Sequence, residues 1–374
     1  MSLDVAVAAL RAAFPEPWLL HYSLKANDVP AIVRLIHERG FGANVVSLGE
    51  WRIARRAGVP NEATTLEGIG KTDADLRAAV RAAREGRPLR WLSIESVDEA
   101  GVLGGFAARA RLAEPPDVLF RLNPDVSPET HRGLAVGAGA SKFGLTETEV
   151  GQAIDAVGRL VRPRGIHVHV GSQLGAVNAW RDAVRRALAV VALLRGSIPT
   201  FDTLDVGGGF PVGVFGGDPV PSPARFAAEL PALLEAIPAD RRPTRLAIEP
   251  GRFLVARAGF IVARVLHVRE RGGRQVVIDA GMSELIRPAL YGARHPIAAL
   301  TSLGREVAGE LSAEAAPTMV EGPICESTDS LGEHLLPPLR RGDFVAIRDA
   351  GAYAASMSSR YNGRPPRRQV VIDT

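Results

Sequence analysis

Lysine is almost missing from this chain: of 45 basic residues only three, Lys25, Lys71 and Lys142, are lysines. Arginine is used wherever a positive charge suffices, and it does not titrate in the physiological range. A lysine kept against that bias marks a place where a guanidinium would fail, and imine formation is one such place. Cysteine is scarcer still. The single Cys325 excludes an internal disulfide and suits a reducing cytoplasm. No apolar run approaches the roughly 20 residues of a membrane-spanning helix, so no membrane partner is expected. The stretch from Met1 to Trp18 lacks a basic start and carries Asp4 among alanines. That excludes a secretory signal and predicts an amphipathic helix. Nor is there a basic block interleaved with aromatics. Basic residues stand beside acidic ones, as in Glu38-Arg39 and Arg84-Glu85, so the net charge of +4 does not imply a nucleic-acid partner.

What is present is a soluble, globular composition, 46% apolar and 23% charged, in 374 residues, enough for two domains. Short β-branched runs alternate with helical patterns from Leu19 to Glu249. Strands are predicted at Leu19–Ser23, Ala43–Ser47, Ala63–Glu67, Leu89–Ile94, Val118–Leu122, Gly165–Val170, Thr203–Val206 and Arg245–Ile248. Helices are predicted between them, among them Val29–Arg39, Asp73–Arg84, Thr146–Arg159, Trp180–Leu194 and Pro223–Ile237. Eight such units make an α/β fold of the (β/α)8 TIM-type barrel over residues 1–257. A doubly wound open sheet is the alternative, but it would spread along one crevice the polar and glycine-rich groups that a barrel gathers on one rim. Beyond, Phe260–Val268 and Gln275–Asp279 flank Gly272-Gly273 as a hairpin, and strand-like runs recur at Thr318–Val320, Phe344–Ile347 and Gln369–Ile372. A mainly β domain is therefore expected over residues 258–374.

The chemistry gathers at strand ends. Lys25 follows the first strand, where a desolvated amine could form an imine; a surface ion pair is the plainer reading. Gly207-Gly208-Gly209 could bring bare backbone against a phosphate, or be a turn. Glu249 and Arg252 bracket Pro250 and Gly251, which suits a carboxylate facing a ring nitrogen and a cation facing an anion, or else a structural salt bridge. His167 and His169 alternate on the sixth strand and could ligate a metal, but no third ligand with suitable spacing follows, so no metal is expected. Cys325 alone could be a small buried apolar residue.

Taken in order, several segments resemble the fold-type-III pyridoxal-phosphate decarboxylases, diaminopimelate decarboxylases most closely. They are Tyr-Ser-Leu-Lys-Ala-Asn at 22–27, Ser-Lys-Phe-Gly at 141–144, His-Val-His-Val-Gly-Ser-Gln at 167–173 and Asp-Val-Gly-Gly-Gly-Phe at 205–210. Glu-Pro-Gly-Arg at 249–252, Arg-Pro-Ala-Leu-Tyr-Gly-Ala at 287–293, Gly-Pro-Ile-Cys-Glu-Ser at 322–327 and Gly-Ala-Tyr at 351–353 complete the series. The resemblance implies an alanine-racemase-like barrel, pyridoxal 5'-phosphate as cofactor, a diamino dicarboxylic acid as substrate and a homodimer with shared sites. It implies that Lys25 holds the cofactor as an imine and that His169 stacks on its ring. Ser172, Gly207, Gly208, Gly209, Arg252 and Tyr353 would surround the phosphate, with Pro250 and Gly251 in the same loop. Glu249 would keep the ring nitrogen protonated. Cys325, from the neighbouring subunit, would reprotonate the substrate carbon. Arg252, Arg287 and Tyr291 would bind the distal carboxylate, with Tyr353 beside them and Glu326 on the distal amino group.

The chain departs from the family in places. Asn44 stands where aspartate is usual, Leu48 where glycine is, and Arg360 replaces a common asparagine. Leu66-Glu67-Gly68 lacks the usual histidine before the glycine, and the usual asparagine after it. Relatives also carry some tens of residues before the barrel, including a strand; here either the start is shortened or this member manages without it. These departures leave open another carboxylate-bearing amino acid of secondary metabolism as substrate, or a homologue that binds the cofactor without catalysis. Ornithine and arginine decarboxylases resemble one another in having aspartate at the position of Glu326, and alanine racemase in having arginine at that of Glu249, so neither matches here.

Overall fold

The computed structural model describes residues 3–372 except 111, 113, 131–134, 136, 138–140, 214–218, 306 and 308–313. Eight strands build its first sheet: β1 (Leu19–Ser23), β2 (Gly42–Val45), β3 (Thr64–Leu66), β4 (Trp91–Ile94), β5 (Asp117–Arg121), β6 (Arg162–His167), β7 (Thr203–Asp205) and β8 (Arg245–Ile248). They pair in chain order, all parallel, and β8 closes on β1 through Ala247 with Leu19 and Ile248 with Leu20. The expected barrel is therefore present. Parallel neighbours cannot be joined by a tight turn, and helices return the chain between them. Two of these helices, Asp73–Arg84 and Glu147–Val157, start at capping boxes made by Thr72 with Asp75 and Thr146 with Glu149. The helix expected over Pro223–Ile237 is two short ones, Pro223–Ala227 and Leu230–Glu235. Pro231 has no N–H to donate back one turn, and the helix breaks before it.

The sixth strand also differs from expectation. It runs from Arg162 to His167, so His169 lies beyond its end. The alternation of Val168 and Val170 suggested more strand, but the ladders to β5 and β7 stop at His167.

The barrel interior is layered. Leu19, Trp91, Leu119 and Ala247 pack as an apolar tier. Two residues further along the same strands stand His21, Ser93, Arg121 and Glu249, all buried and all polar. Side chains two apart on a strand share a face, so each strand offers one residue to each tier.

The second compact unit carries a six-stranded mixed sheet ordered β11-β14-β9-β10-β12-β13, with β9 (Ile261–Glu270), β10 (Arg274–Ile278), β11 (Ile297–Leu300), β12 (Ala316–Glu321), β13 (Ser330–Leu336) and β14 (Phe344–Ile347). The hairpin of β9 and β10 is as expected. Val265, Val276, Ile278, Val320, Val345 and Ile347 are part of its core. The second unit takes in the chain from Arg252 onward, together with Met1–Ala6 and Val212–Pro219. Residues 256–259 are tied to the second unit: Gly351 N donates to Ala256 O at 3.0 Å and Ala350 N to Gly259 O at 2.9 Å. The run Gln369–Ile372 forms no strand and stays exposed, since propensity makes a strand only where a segment pairs. Among the described residues no helix is long and apolar enough to cross a membrane.

Within this unit Asp329 fixes the loop that carries Cys325. Its carboxylate accepts the backbone N–H of Met282 and, at 2.7 Å, that of Ile324. Its own backbone binds Gly322 N at 2.8 Å and Glu326 O at 3.1 Å. Replacing Asp329→Ala strands two backbone donors and is expected to cost about 1–3 kcal/mol. Hydrogen exchange should quicken at the Met282 and Ile324 amides while barrel amides keep their protection; unchanged exchange at both would refute this role.

Candidate active site

At the carboxyl ends of the barrel strands, local geometry brings the expected groups together. Lys25 sits in the single turn Leu24–Ala26 that follows β1 directly. The loop after β8 returns over it: Ser23 N donates to Pro250 O at 3.1 Å, and a side chain at Gly251 would stand 3.1 Å from Ala26 Cβ. The triple glycine after β7 is required by close approach. A Cβ at Gly208 would lie 2.3 Å from the Glu249 carbonyl oxygen, and Gly207 has φ of +70°. Two of its three amides are already committed, Gly207 N to Asp205 Oδ1 at 2.9 Å and Gly208 N to His169 Nδ1 at 3.1 Å. The second bond leaves His169 Nδ1 an acceptor, and burial, followed by the charge of Lys25, pushes its pKa well below the usual range. Ser172 takes the Thr130 hydroxyl on its carbonyl at 2.6 Å.

Glu249 is buried at the centre of a polar network. Asn44 Nδ2 donates to its Oε1 at 2.9 Å, and Ser23 Oγ donates to Asn44 Oδ1 at 3.2 Å. His167 Nε2 lies 3.6 Å from Glu249 Oε2 and 3.5 Å from Glu67 Oε2, while its Nδ1 meets Ser93 Oγ at 2.9 Å. Glu67, His167 and Glu249 each bring one ligand-type atom within 4.8 Å of the others. The partners that spacing failed to supply for His167 thus come from strands far away in sequence, and His169 is not among them. Burial, then the charge of Glu249 and a hydrogen bond to it, pushes the Glu67 carboxyl up to about 8, against His167 and Asn44. Burial likewise drives His167 down to about 4 and raises Asp205 well above the carboxylate range. Lys71 is spent elsewhere, in an ion pair with Glu99 at 2.9 Å.

In the second unit Arg252, Arg287, Tyr291 and Tyr353 gather. The Arg252 guanidinium lies 4.6 Å from the centre of the Tyr353 ring, and Tyr353 is held at φ of +59°. Arg287 and Tyr291 begin and end one short helix, four residues apart and so on one face. Burial, then the charge of Arg252, lowers Arg287 to about 10, which Tyr353 and Tyr291 oppose. Arg287 Nη1 donates to His295 Nε2 at 2.9 Å, and His295 Nδ1 to the Arg348 carbonyl at 3.1 Å. Cys325 and Glu326 are exposed, and Glu326 Oε1 accepts the Tyr361 hydroxyl at 2.5 Å.

Sequence reading missed Glu67, His295, Asp329 and Tyr361 as parts of these clusters. Only Glu67 left a trace, as the departure before Gly68. The barrel set fits pyridoxal phosphate: a primary amine at a strand end, backbone that a Cβ would obstruct, and a buried carboxylate already supplied with one amide donor.

The family model for the pyridoxal binding domain of pyridoxal-dependent decarboxylases matches residues 2–256. The chain is 34% identical to the diaminopimelate decarboxylase of Aquifex aeolicus, over 98% of this chain and 83% of that one. It is 38% identical to the diaminopimelate decarboxylase of Actinosynnema pretiosum, over 96% and 79%. The crystal structure of Helicobacter pylori diaminopimelate decarboxylase complexed with L-lysine superposes with a TM-score of 0.86 at 29% identity, covering 96% of this chain and 86% of that chain. A lysine/ornithine decarboxylase of Vibrio vulnificus complexed with putrescine gives 0.78 at 26% identity, covering 97% and 90%. With two thirds of its length inside the family model and full-length relatives above the 30% mark, this chain belongs to the pyridoxal-dependent decarboxylases.

Proposed function

We propose that this chain decarboxylates meso-diaminopimelate to L-lysine with pyridoxal 5'-phosphate. When bound, that cofactor supplies the electron sink for the electron pair left on the α-carbon as carbon dioxide departs. Lys25 holds it through its amine, His169 offers its ring face, and Glu249 keeps a proton on the ring nitrogen. Ser172 and the backbone of Gly207 to Gly209, with Pro250 and Gly251 framing the loop, surround the phosphate, as do Arg252 and Tyr353. Cys325 delivers the proton that replaces the lost carboxylate, and Glu326 receives the distal ammonium.

One observation carries the choice of substrate class: Arg252 and Arg287 are both largely removed from water, and the charge of Arg252 reaches Arg287. Two such cations repel, and an anion between them relieves that strain while accepting charge-assisted hydrogen bonds. The Tyr291 and Tyr353 hydroxyls can add to them. Lysine and ornithine lack the second carboxylate. We further propose a homodimer in which each site borrows Cys325 and Glu326 from the other copy, a reading that their exposure on the single chain supports. A thiol that must remain reduced to donate its proton suits the cytoplasm.

Borohydride should fix the cofactor on Lys25, and Lys25→Arg should abolish both the labelling and the visible band, since a guanidinium is not a nucleophile at neutral pH. Label on Lys71 or Lys142 would overturn the assignment. Arg287→Leu should lower kcat/KM for diaminopimelate by about a hundredfold or more, leaving cofactor affinity within about threefold. Equal turnover of lysine or ornithine by the parent enzyme would refute the specificity, and turnover of another diacid alone would redirect it. Mixing inactive Lys25→Ala and Cys325→Ala chains should restore part of the activity; none, despite proven subunit exchange, would exclude shared sites.

A further inference from the structure

Inside the barrel, Glu67 and Glu249 stand where both cannot be ionised at ordinary cost. Each is almost fully buried, and a carboxyl oxygen of one lies within 4.8 Å of a carboxyl oxygen of the other and of a His167 ring nitrogen, so two full anions there would repel at close range away from water. We propose that Glu67 is a positioning residue acting through Glu249: the pair shares one proton, and Glu67 donates it to Glu249, fixing the orientation and single negative charge of the ring-facing carboxylate. This rests on the role of Glu249 proposed above and adds a residue to it.

The surroundings decide which carboxyl holds the proton. Asn44 Nδ2 donates to Glu249 Oε1 at 2.9 Å, and Asn44 is itself held by Ser23. Among the described residues Glu67 Oε1 has no hydrogen-bond partner, and the pull of Asn44 on Glu67 is outweighed by burial and by the charge of Glu249. A carboxylate prefers the site with the donors, and a neutral acid tolerates the poorer one. The neighbouring charges do not change this. His167, facing both from β6, is driven toward its neutral form by burial, and its Nδ1 is engaged with Ser93. Arg121 on β5 is paired with Glu95, next after β4, at 2.8 Å. Asp205 on β7 is a third buried carboxyl group, its Oδ1 accepting from Gly207 N, and burial holds it toward the neutral acid. Lys25 is the remaining cation whose charge reaches His167 and His169. A second full anion at Glu67 would have to be carried by this same set. An amide at residue 44 cannot ionise, so the proton in this arrangement lies between Glu67 and Glu249, and the Asn44 donor on Glu249 favours placing it on Glu67.

The consequence is an alkaline limit. Glu67 loses its proton at about pH 8, and two anions then face each other in a site closed to water. Glu67→Gln keeps a donor toward Glu249 and cannot ionise; Glu67→Leu removes the donor. Pyridoxal phosphate affinity, followed by absorbance and fluorescence from about pH 6 to about pH 10, should fall roughly tenfold or more through the upper half of that range in the parent protein. Glu67→Gln should bind within about threefold of the parent near pH 7 and show no such step, while Glu67→Leu should bind roughly tenfold more weakly throughout.

A second readout needs no cofactor. The folded state keeps the Glu67 proton up to about pH 8, whereas the unfolded chain loses it near the ordinary carboxyl value of 4.5. Parent stability should therefore decline relative to Glu67→Gln as pH rises through that window, and stop declining above it. The same alkaline step in Glu67→Gln, or parallel stability curves for the two proteins, would overturn the proposal. So would a stoichiometric divalent metal in the parent that Glu67→Gln lacks, since an ion would then replace the proton. Failure of cofactor to attach at Lys25 in every variant would instead defeat the functional reading, leaving the stability comparison to judge Glu67.

Discussion

A carboxylate at the end of a strand in a closed barrel has neighbours on both sides and little water, so the protein must supply every group that answers it. Glu249 is in that position, and much of the barrel mouth follows from it. Asn44 donates to it, Ser23 orients Asn44, and the backbone of Ser23 is tied to the loop immediately after Glu249. His167 approaches from across the interior with Ser93 behind it. The turn bearing Lys25 is thus built from the same residues that hold the carboxylate. A shift of one would displace the other, which couples the positions of an amine and an acid.

The second unit works by an opposite principle. There, like charges are gathered rather than answered. Burial and then the charge of Arg252 weaken the hold of Arg287 on its proton, and His295 engages one nitrogen of Arg287 as a neutral acceptor. A neutral imidazole orients the guanidinium without cancelling its charge, so the attraction for an incoming anion is preserved. Asp329 is spent differently, on backbone donors that fix the loop of Cys325 and Glu326. Removing water from charged groups is costly, and both clusters concentrate that cost where an ionic ligand can offset it.

The barrel was legible because eight short β-branched or apolar runs alternate with helical patterns and because punctuating residues follow the strands; β1 and β8 match residue for residue. The glycines, Lys25 and Glu249 were legible for the same reason, since strand-end residues occupy a shared rim. What escaped was pairing at long range. No spacing links Glu67 to Glu249, Asn44 to Glu249 across 205 positions, or Asp329 to Met282 across 47. Those meetings exist only once the barrel or the second sheet has closed. The strand β6 was misplaced because valines continue its alternation past the last hydrogen-bonded residue, and Gln369–Ile372 because its propensity is not matched by pairing. Local pattern decides what a segment could be, and tertiary partners decide where it stops.

The two tiers of the barrel interior divide labour along single strands. Leu19 and His21, Trp91 and Ser93, Leu119 and Arg121, Ala247 and Glu249 are pairs separated by one residue, the first apolar and the second polar. Durability and reactivity therefore have separate addresses on a common scaffold. A lineage could refill the lower addresses for a hotter habitat, or rewrite the upper ones for a new substrate, with little interference between the two. The narrow gap also sets the limit of that freedom: inserting or deleting one residue in any strand would exchange its interior and exterior faces and scramble both addresses together.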